Sequence, residues 1–250
     1  MNKMKVTLLV FTLNEITGMR EIMPRVQKEW YDELLIVDGG SSDGTIEYCK
    51  KNGFPIFIQS GRGLPNAYDE AFLKTTKDII VLVTPDGNSL PELIPQLVEK
   101  IHSGYDLVIA SRYLNQAKSY DDDMFTAFGN KMFTTVINIL FGAHYTDVLV
   151  GYRALRRDAV LKMNLLGQHK QGWLKKRFVL MNTWEPSSSI RAAKLKLKID
   201  EIAGDEPKRI GGERKLSIIR NGCGVLLQIL HELILGKNFI KNSSGGNYDY

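Results

Sequence analysis

Short apolar runs alternate with helix-like stretches through the first 110 residues, and this rhythm limits the fold more than any other feature. The apolar runs cover residues 6–13, 34–37, 56–58, 79–83 and 107–110. The stretches between them predict helices at residues 19–30, 45–52, 65–75 and 91–102. Strands that are joined by helices form parallel sheets whose two faces are both covered. The first half therefore predicts an α/β fold with a mostly parallel central sheet covered by helices.

The second half predicts longer helices and fewer strands. A helical, aromatic pattern covers residues 121–142, and residues 144–160 predict a short strand, a turn and another helix. A capped helix and an edge strand follow within residues 187–202. The sequence contains no internal repeat and no clear linker, so we expect one domain, residues 1–215, and a C-terminal unit, residues 216–250.

The C-terminal unit begins with a predicted amphipathic helix at residues 216–235. Its apolar positions are 216, 219, 223, 226, 230 and 233. Its narrower polar face contains Ser217, Arg220, Asn221, Gly224, Gln228 and Glu232. The default expectation is that the helix packs on its own domain, and the alternatives are a membrane interface or a partner protein. The residues after the helix predict a frayed tail.

Net charge and cysteine content narrow the class of protein. The formal charge of +5 favours anionic partners such as phosphates, nucleotides or an acidic membrane surface. No basic stripe with interleaved aromatic residues occurs, so nucleic acid is not expected as a partner. Cys49 and Cys223 lie far apart without a Cys/His cluster, so we expect free thiols and a cytoplasmic location. No apolar stretch in the sequence is long enough to span a membrane.

The residues that follow the apolar runs are polar, and they are where a parallel sheet binds its ligands. They read "TLNE", "DGGSSDGT", "SGRGLPNA", "TPDGNS" and "SRY" in chain order. Asp38 lies at the tip of the second run, before glycines that include Gly40 and allow the backbone to approach a ligand. Asp38 is expected to accept from a base NH or a ribose hydroxyl. A turn whose acids only cap the next helix explains this stretch equally well.

The series of motifs resembles glycosyltransferase family 2 with a GT-A fold, in the branch that transfers sugars to dolichyl or polyprenyl phosphates. The motifs occur in one order over residues 5–216: "TLNE", "VDGGSSDGT", "TPDGNSLPE", "ASRY", "TDVLVGYRALRR" and "RIGGERKL". The resemblance implies that Asn14, Glu15 and Asp38 hold the base and ribose of a nucleotide. It also implies that Arg62 and Asn66 border the same pocket.

The resemblance implies a divalent metal at Asp86, although the motif is incomplete. Family members usually have Asp-x-Asp here, with Mg²⁺ or Mn²⁺ on the donor pyrophosphate, and Thr84 replaces the first acid. Asn88 offers an amide oxygen, and the substrate phosphates and water supply the other ligands. The rival interpretation is that Asp86 only caps the helix that begins near Pro91. Acids 121–123 are expected to form a solvated loop.

A basic segment and three further motifs complete the predicted site. The family pattern Arg-x-x-Gly-Glu-Ser-Lys is matched by Arg209 and Lys215, with Arg214 in place of the serine, which implies a mobile flap that binds phosphate. By the same resemblance the acceptor phosphate meets Arg112, and Thr126 stands for a serine of relatives. Asp147 orients the donor sugar or pairs with Arg153. Glu185 is close to the sequence position at which some relatives have a general base. Such a base is needed if the acceptor is a sugar hydroxyl.

The resemblance implies an enzyme, an inverting glycosyltransferase that moves a sugar from a nucleotide-sugar donor to undecaprenyl or dolichyl phosphate. It is expected to lie on the cytoplasmic face of a membrane as a peripheral protein. Two alternatives stay open. The first is transfer to a sugar hydroxyl in a surface polysaccharide or glycolipid. The second is a nucleotide-binding homologue without activity.

Overall fold

The computed structural model describes residues 3–167, 184–211 and 218–240, with the side chains of 218–220 left out. Its strands are β1 Val6–Thr12, β2 Glu33–Asp38, β3 Ile56–Ile58, β4 Ile79–Val83, β5 Leu107–Ser111, β6 Arg153–Arg156 and β7 Ile199–Ala203. They form one sheet in the order β3-β2-β1-β4-β6-β5-β7. Among these strands only β6 is antiparallel to its neighbours, so the expectation of a mostly parallel sheet is confirmed.

Helices connect the strands and cover the sheet. They are α1 Ile16–Ile22, α2 Thr45–Lys51, α3 Leu64–Lys74, α4 Ile94–His102, α5 Met124–Phe141, α6 Arg157–Lys162, α7 Trp184–Leu195 and α8 Ile218–Leu235. The prediction of one helix over residues 19–30 was wrong. Helix α1 begins earlier and ends at Ile22, and two 3-10 turns follow. Pro24 lies in the first of these turns and lacks the N–H that an α-helix needs there.

Each face of the sheet is covered by its own hydrophobic core. Leu8 packs with residues of α1 and α4, including Met19 and Leu97. Its neighbour Leu9 points to the opposite face and packs with residues of α3, α5 and α7. Successive side chains of a strand point to opposite faces, and every residue of β1 is buried, so the strand is covered on both sides. The predicted covering of both faces is therefore confirmed.

Helix α8 packs on α5 and α7, as expected by default. However, part of its predicted polar face points inward, and part of its predicted apolar face points outward. Gln228 and Glu232, predicted to face outward, are 3% and 0% exposed. Leu226 and Leu230, predicted for the apolar stripe, are 46% and 54% exposed. The inward face also contains the buried Val225 and Ile229.

Glu232 explains this orientation of α8. Its carboxylate lies 2.9 Å from Arg191 and 2.8 Å from Lys194, both on α7. Arg191 is buried, and burial lowers its pKa although Glu232 opposes that effect. Removing Glu232 would leave Arg191 buried without its counter-ion, which destabilises the folded protein strongly. The predicted polar face therefore turns inward because α7 presents cations that need it.

Helices α5 and α8 pack on each other and carry a set of exposed apolar side chains, which we call the α5–α8 surface. Its members are Met124, Phe125, Phe128, Ile139, Leu226, Leu227, Leu230, Leu233 and Ile234, between 41% and 87% exposed. Large exposed apolar side chains that are grouped in this way are a feature of interaction sites. Within the described part of the chain, no helix is both long and apolar enough to cross a bilayer.

The strand directions collect the predicted site residues at one edge of the sheet. The carboxyl ends of the six parallel strands lie at this edge, together with the start of β6. Loops after β1, β2, β3, β4, β5 and β7 therefore meet the loop that precedes β6. The predicted binding edge of a parallel sheet is thus formed by residues from most of the chain.

Candidate active site

A cavity of about 480 Å³ opens at this edge of the sheet. Six of the predicted site residues line it: Asp86, Asn88, Arg112, Thr126, Glu185 and Arg209. They come from three loops and two helices, and the sheet brings them together. A cavity of this size suits a ligand as large as a nucleotide sugar.

Asp86 lies in the tight turn after β4 and is 6% exposed. Its Oδ1 accepts hydrogen bonds from the Thr84 hydroxyl at 3.0 Å and from the Asn88 backbone N–H at 3.2 Å. Its Oδ2 lies 2.9 Å from Arg209 Nη1. The 3-10 turn at Pro91 has no side-chain cap, so the interpretation of Asp86 as a cap of that helix was wrong.

Residues 207–211 lie directly over the turn that contains Asp86. The Ile210 N–H donates to the Asp86 carbonyl at 2.7 Å, and the Asn88 side chain donates to the Pro207 carbonyl at 3.1 Å. Gly87 has a φ of 89°, and a Cβ there would lie 2.6 Å from the Ile210 side chain. A glycine is therefore required at position 87 for this segment to close over the turn.

Arg209 connects two predicted regions of the site. Besides Asp86, its Nη1 lies 3.8 Å from Glu15 Oε1, after β1. Its Nε is buried and has no hydrogen-bond partner among the described residues. Arg214 and Lys215, which complete the predicted flap, lie outside the described residues.

The residues around Asp86 offer two oxygen ligands to a divalent cation. Asn88 Oδ1 is buried and has no partner in the described part of the structure, which suits an oxygen that awaits a ligand. Carboxylate and amide oxygens are ligands that Mg²⁺ and Mn²⁺ prefer. No group of three or more His, Cys, Asp or Glu side chains that could hold a metal is found in residues 3–167, 184–211 and 218–240. A metal at Asp86 fits only if the substrate supplies most of the coordination.

Asp38 is fully buried and holds its own loop. Its Oδ1 accepts from the backbone N–H groups of Gly40 and Ser41 at 2.8 and 2.7 Å. Its Oδ2 accepts from the hydroxyls of Thr12 and Ser41 at 2.7 and 2.6 Å. Four donors thus surround the carboxylate that was expected to bind a base or ribose. Its role as a nucleotide ligand stays a prediction.

The other residues predicted for the nucleotide surround this loop. Asn14 is exposed, and its side chain accepts from the Ser42 N–H at 2.8 Å. Glu15 donates its N–H to Thr45 Oγ1 at 3.1 Å, which ties the loop after β1 to the start of α2. Arg62 is exposed in the loop after β3, and the Asn66 side chain donates to Glu70. These residues lie at the predicted edge but outside the wall of the cavity.

Arg112 lies at the tip of β5 inside a cluster of carboxylates. Its Nε and Nη2 donate to the two oxygens of Asp147 at 2.6 and 3.1 Å. Its Nη1 lies 3.3 Å from Glu206 and 3.6 Å from Asp122. Burial alone lowers the pKa of Arg112, but Asp147, Glu206 and Tyr113 all act against this effect, and the net pKa is raised. One guanidinium therefore faces three acids, which leaves little positive charge for an anionic acceptor.

Two expectations near this cluster were wrong. Asp147 forms its close ion pair with Arg112 and not with Arg153. Asp122 was expected in a solvated loop, but its side chain is 2% exposed, and Tyr113 and Asn130 donate to it. Asp123 is exposed as expected, and it caps α5 by accepting from the Thr126 N–H at 2.7 Å.

Arg153 is fully buried and lies outside the cavity wall. It donates to the Glu185 carbonyl at 3.0 Å and to Ser188 Oγ at 2.8 Å, both on α7. Other donors reach the carbonyls of Val148 and Val150. In the described structure Arg153 therefore braces the first turn of α7 instead of facing a ligand.

Glu185 reaches the cavity from that first turn. It is 5% exposed, and its Oε1 accepts a hydrogen bond from the hydroxyl of Tyr68 on α3. Its Oε2 is buried and has no partner among the described residues. The carboxylate therefore presents one free oxygen, and Tyr68 lines the cavity beside it.

Sequence reasoning missed Tyr68 and Glu206. Tyr68 lies in an amphipathic helix where an aromatic side chain suggests core packing, and its partner is 117 residues away. Glu206 lies three residues after β7, and the loops after the other parallel strands carry the predicted site residues, so its position was a usable signal. The edge strand was recognised, but the acids after it were not connected with the site.

A model described as Glycosyl transferase family 2 matches residues 7–163. Dolichol-phosphate mannosyltransferase of Pyrococcus furiosus is 27% identical over 66% of the chain and 50% of that protein. Glycosyltransferase AglJ of Haloferax volcanii is 27% identical over 64% of the chain and 53% of that protein. The chain thus spans about half the length of these two relatives. Undecaprenyl-phosphate mannosyltransferase of Micrococcus luteus is 26% identical over 86% of the chain and 88% of its own length.

Solved structures with the same fold include glucosyl-3-phosphoglycerate synthase of Mycobacterium tuberculosis in complex with Mn²⁺, UDP and glucosyl-3-phosphoglycerate. The TM-score is 0.59 at 17% identity, over 94% of this chain and 80% of that one. A complex of the same synthase with Mg²⁺ and UDP also has a TM-score of 0.59 at 17% identity, over 94% of this chain and 79% of that one. The likeness confirms the GT-A fold that the motifs predicted.

Proposed function

The chain belongs to glycosyl transferase family 2, and on that premise we propose that it transfers a sugar from a nucleotide-sugar donor to a polyprenyl phosphate, with inversion at the anomeric carbon. Relatives named for dolichol phosphate and undecaprenyl phosphate support this acceptor class. Complexes of the structural neighbours with UDP support a nucleotide-sugar donor.

The observation that carries the acceptor assignment is the position of Phe125. This side chain lines the cavity and is also 81% exposed on the α5–α8 surface. Phe125 therefore joins the cavity to the α5–α8 surface. A lipid-linked phosphate needs this arrangement, because its head must reach the sugar while its chain stays among apolar groups. We propose that the α5–α8 surface lies on a membrane from which the acceptor enters.

In the proposed reaction an acceptor phosphate oxygen attacks the anomeric carbon as the bond from that carbon to the diphosphate oxygen breaks. The acceptor oxygen is already ionised, so no general base is needed. Negative charge develops on the departing nucleoside diphosphate, and Arg209 is placed to neutralise it. A divalent ion held by Asp86 and Asn88 would add positive charge there. The basic residues 214 and 215 are proposed to contribute in the same way.

A second candidate is transfer to a sugar hydroxyl. It is favoured by the carboxylates around Arg112, which disfavour an anionic acceptor, and by the free oxygen of Glu185, which could act as a general base. Glu185 would then accept the hydroxyl proton during attack. A third candidate is a protein that binds nucleotide sugars without transferring the sugar. The incomplete metal motif raises this possibility.

One screen separates these functions. UDP- and GDP-sugars are mixed with undecaprenyl phosphate, with an oligosaccharide mixture, or with no acceptor, and nucleoside diphosphate release is measured. The proposal expects release that depends on undecaprenyl phosphate and a lipid product that carries the sugar. Release with oligosaccharides alone supports the second candidate. Binding of nucleotide sugars without release in any mixture would identify a binding protein.

A further inference from the structure

The backbone that carries Glu185 is held by a buried cation. Arg153 is 0% exposed and donates to the Glu185 carbonyl at 3.0 Å. It also donates to Ser188 Oγ at 2.8 Å and Ser189 Oγ at 3.3 Å, one turn further along α7. A guanidinium with several donors in a fixed plane restrains what it binds more firmly than a single hydrogen bond does. The first turn of α7 is therefore fixed at the cavity wall.

The Glu185 side chain is held by Tyr68. The Tyr68 ring packs against Phe11 of β1 and Trp184 of α7, with centroid distances of 4.6 and 5.2 Å. Burial and the charge of Glu185 raise the pKa of Tyr68, so its hydroxyl stays protonated. The hydroxyl donates a hydrogen bond to Glu185 Oε1. A rigid ring thus selects one orientation of the carboxylate, in which Oε2 is the oxygen left without a donor.

The remaining oxygen is an acceptor without a donor. Glu185 is 5% exposed, and Oε2 has no hydrogen-bond partner in the described part of the chain. A buried carboxylate oxygen without a donor destabilises the folded protein. Such a cost is expected where a ligand supplies the missing donor, and the cavity provides the space for that ligand.

Position and charge indicate which ligand group this is. Tyr68 packs on Phe11 of β1, and the predicted nucleotide loops follow β1 and β2, while the Arg112 cluster follows β5. Through Tyr68, the Glu185 side chain is therefore connected to the strand that precedes one of the predicted nucleotide loops. A phosphate acceptor would be repelled by a carboxylate, whereas a sugar hydroxyl donates to it.

We infer that Glu185 Oε2 accepts a hydrogen bond from a hydroxyl of the sugar being transferred, and that Tyr68 is the positioning residue that orients it. The inference rests on the proposed function, since it takes a nucleotide sugar as the donor. It assigns recognition of the sugar to a pair on α3 and α7, separate from the pyrophosphate site at Asp86.

The test compares donors with and without their sugar. Dissociation constants for UDP, UDP-glucose, GDP and GDP-mannose are measured by calorimetry for the full chain, Glu185→Gln and Tyr68→Phe. We expect the preferred nucleotide sugar to bind about tenfold more weakly to Glu185→Gln, the range of a charged hydrogen bond. Tyr68→Phe should weaken it several-fold. Both variants should bind the matching nucleoside diphosphate as the parent protein does.

Tyr145→Phe is the matched control. The Tyr145 hydroxyl is also buried and donates to α7, at the Ser189 carbonyl 2.8 Å away, but it does not contact Glu185. This variant should leave all four constants unchanged. Equal weakening of nucleotide sugar and nucleoside diphosphate, unchanged binding in Glu185→Gln, or no binding of any probe by the parent would overturn the inference. Failure of transfer to undecaprenyl phosphate with the split in affinity retained would contradict the proposed acceptor alone.

Discussion

Arg209 Nη1 lies 2.9 Å from Asp86 Oδ2, so a cation of the chain itself neutralises the lone carboxylate after β4. The segment that contains Arg209 is tied to the same turn by the bond from the Ile210 N–H to the Asp86 carbonyl. A metal ion that binds Asp86 must therefore share it with Arg209 or displace it. Nucleoside diphosphate can assist, because its oxygens bind both cations.

The first prediction concerns the affinity of the ligand-free protein for Mn²⁺. Arg209→Ala should increase this affinity by up to about tenfold, because removing the guanidinium frees a carboxylate oxygen. Electron paramagnetic resonance of unbound Mn²⁺ gives the measurement without any turnover. Arg25→Ala is the control, since Arg25 pairs with the distant Glu92 on the surface. An unchanged affinity in Arg209→Ala would show that the ion pair does not compete with metal.

The second prediction concerns the metal in the presence of substrate. Mn²⁺ binding to the parent protein should strengthen markedly when UDP or GDP is added, because two protein oxygens leave most of the coordination shell open. Asp86→Asn should remove most of this increase and lower turnover, while uridine or guanosine binds as before. Full turnover of the parent in excess chelator would refute a catalytic metal and leave the charge to Arg209.

The third prediction concerns Asp38, whose two oxygens accept four hydrogen bonds from the surrounding loop. Asp38→Ala should lower the free energy of unfolding by about 3 kcal/mol, because buried donors lose their acceptor. Urea unfolding measures this loss. Asp43→Ala, in the same loop but less buried, should cost less. Equal stability of the two variants would contradict a structural role for Asp38, and nucleotide calorimetry on the folded variant would test the ligand role.

The fourth prediction concerns the α5–α8 surface. Replacing Leu230 and Ile234 by serine should weaken binding to vesicles of phosphatidylglycerol by about tenfold, since inserted apolar area contributes about 25 cal/mol per Å². Co-sedimentation measures the bound fraction. Leu73 and Leu161 are each 43% exposed on other helices and provide the control pair. Equal loss in both pairs would mean that binding does not depend on this surface.

The fifth prediction concerns the buried charges under α8. Glu232→Gln should destabilise the protein by about 3–5 kcal/mol, because Arg191 and Lys194 would stay buried without their counter-ion. Glu92→Gln removes an exposed ion pair with Arg25 and should cost less than about 1 kcal/mol. Thermal and urea unfolding of the two variants test the contrast. A similar small loss in both would show that Glu232 does not hold the helix in place.

The sequence predicted the strands well because their signal is local. All five apolar runs of the first half became strands with ends within one residue of those predicted. Asp86, Asn88 and Arg112 were expected near one another because parallel strands end at a common edge, and Arg209 was added through the resemblance; all four line the cavity. That Arg112 binds Asp147 and that Arg153 binds the Glu185 carbonyl could not be predicted, since these partners are 35 and 32 residues away along the chain. The orientation of α8 depended in the same way on cations of α7.

Because β6 is antiparallel, the two ends of the sheet carry different loops. Strand β6 brings the loop before it, not the loop after it, to the cavity, and the opposite edge of the described sheet includes the short turns at Gly53 and Gly104. A Cβ at either glycine would meet no atom within 4 Å, so there is open space beside both turns. Peptide tags or fluorescent labels inserted next to these turns would project away from the cavity. The protein can thus be immobilised or followed optically while its donor and acceptor still have access.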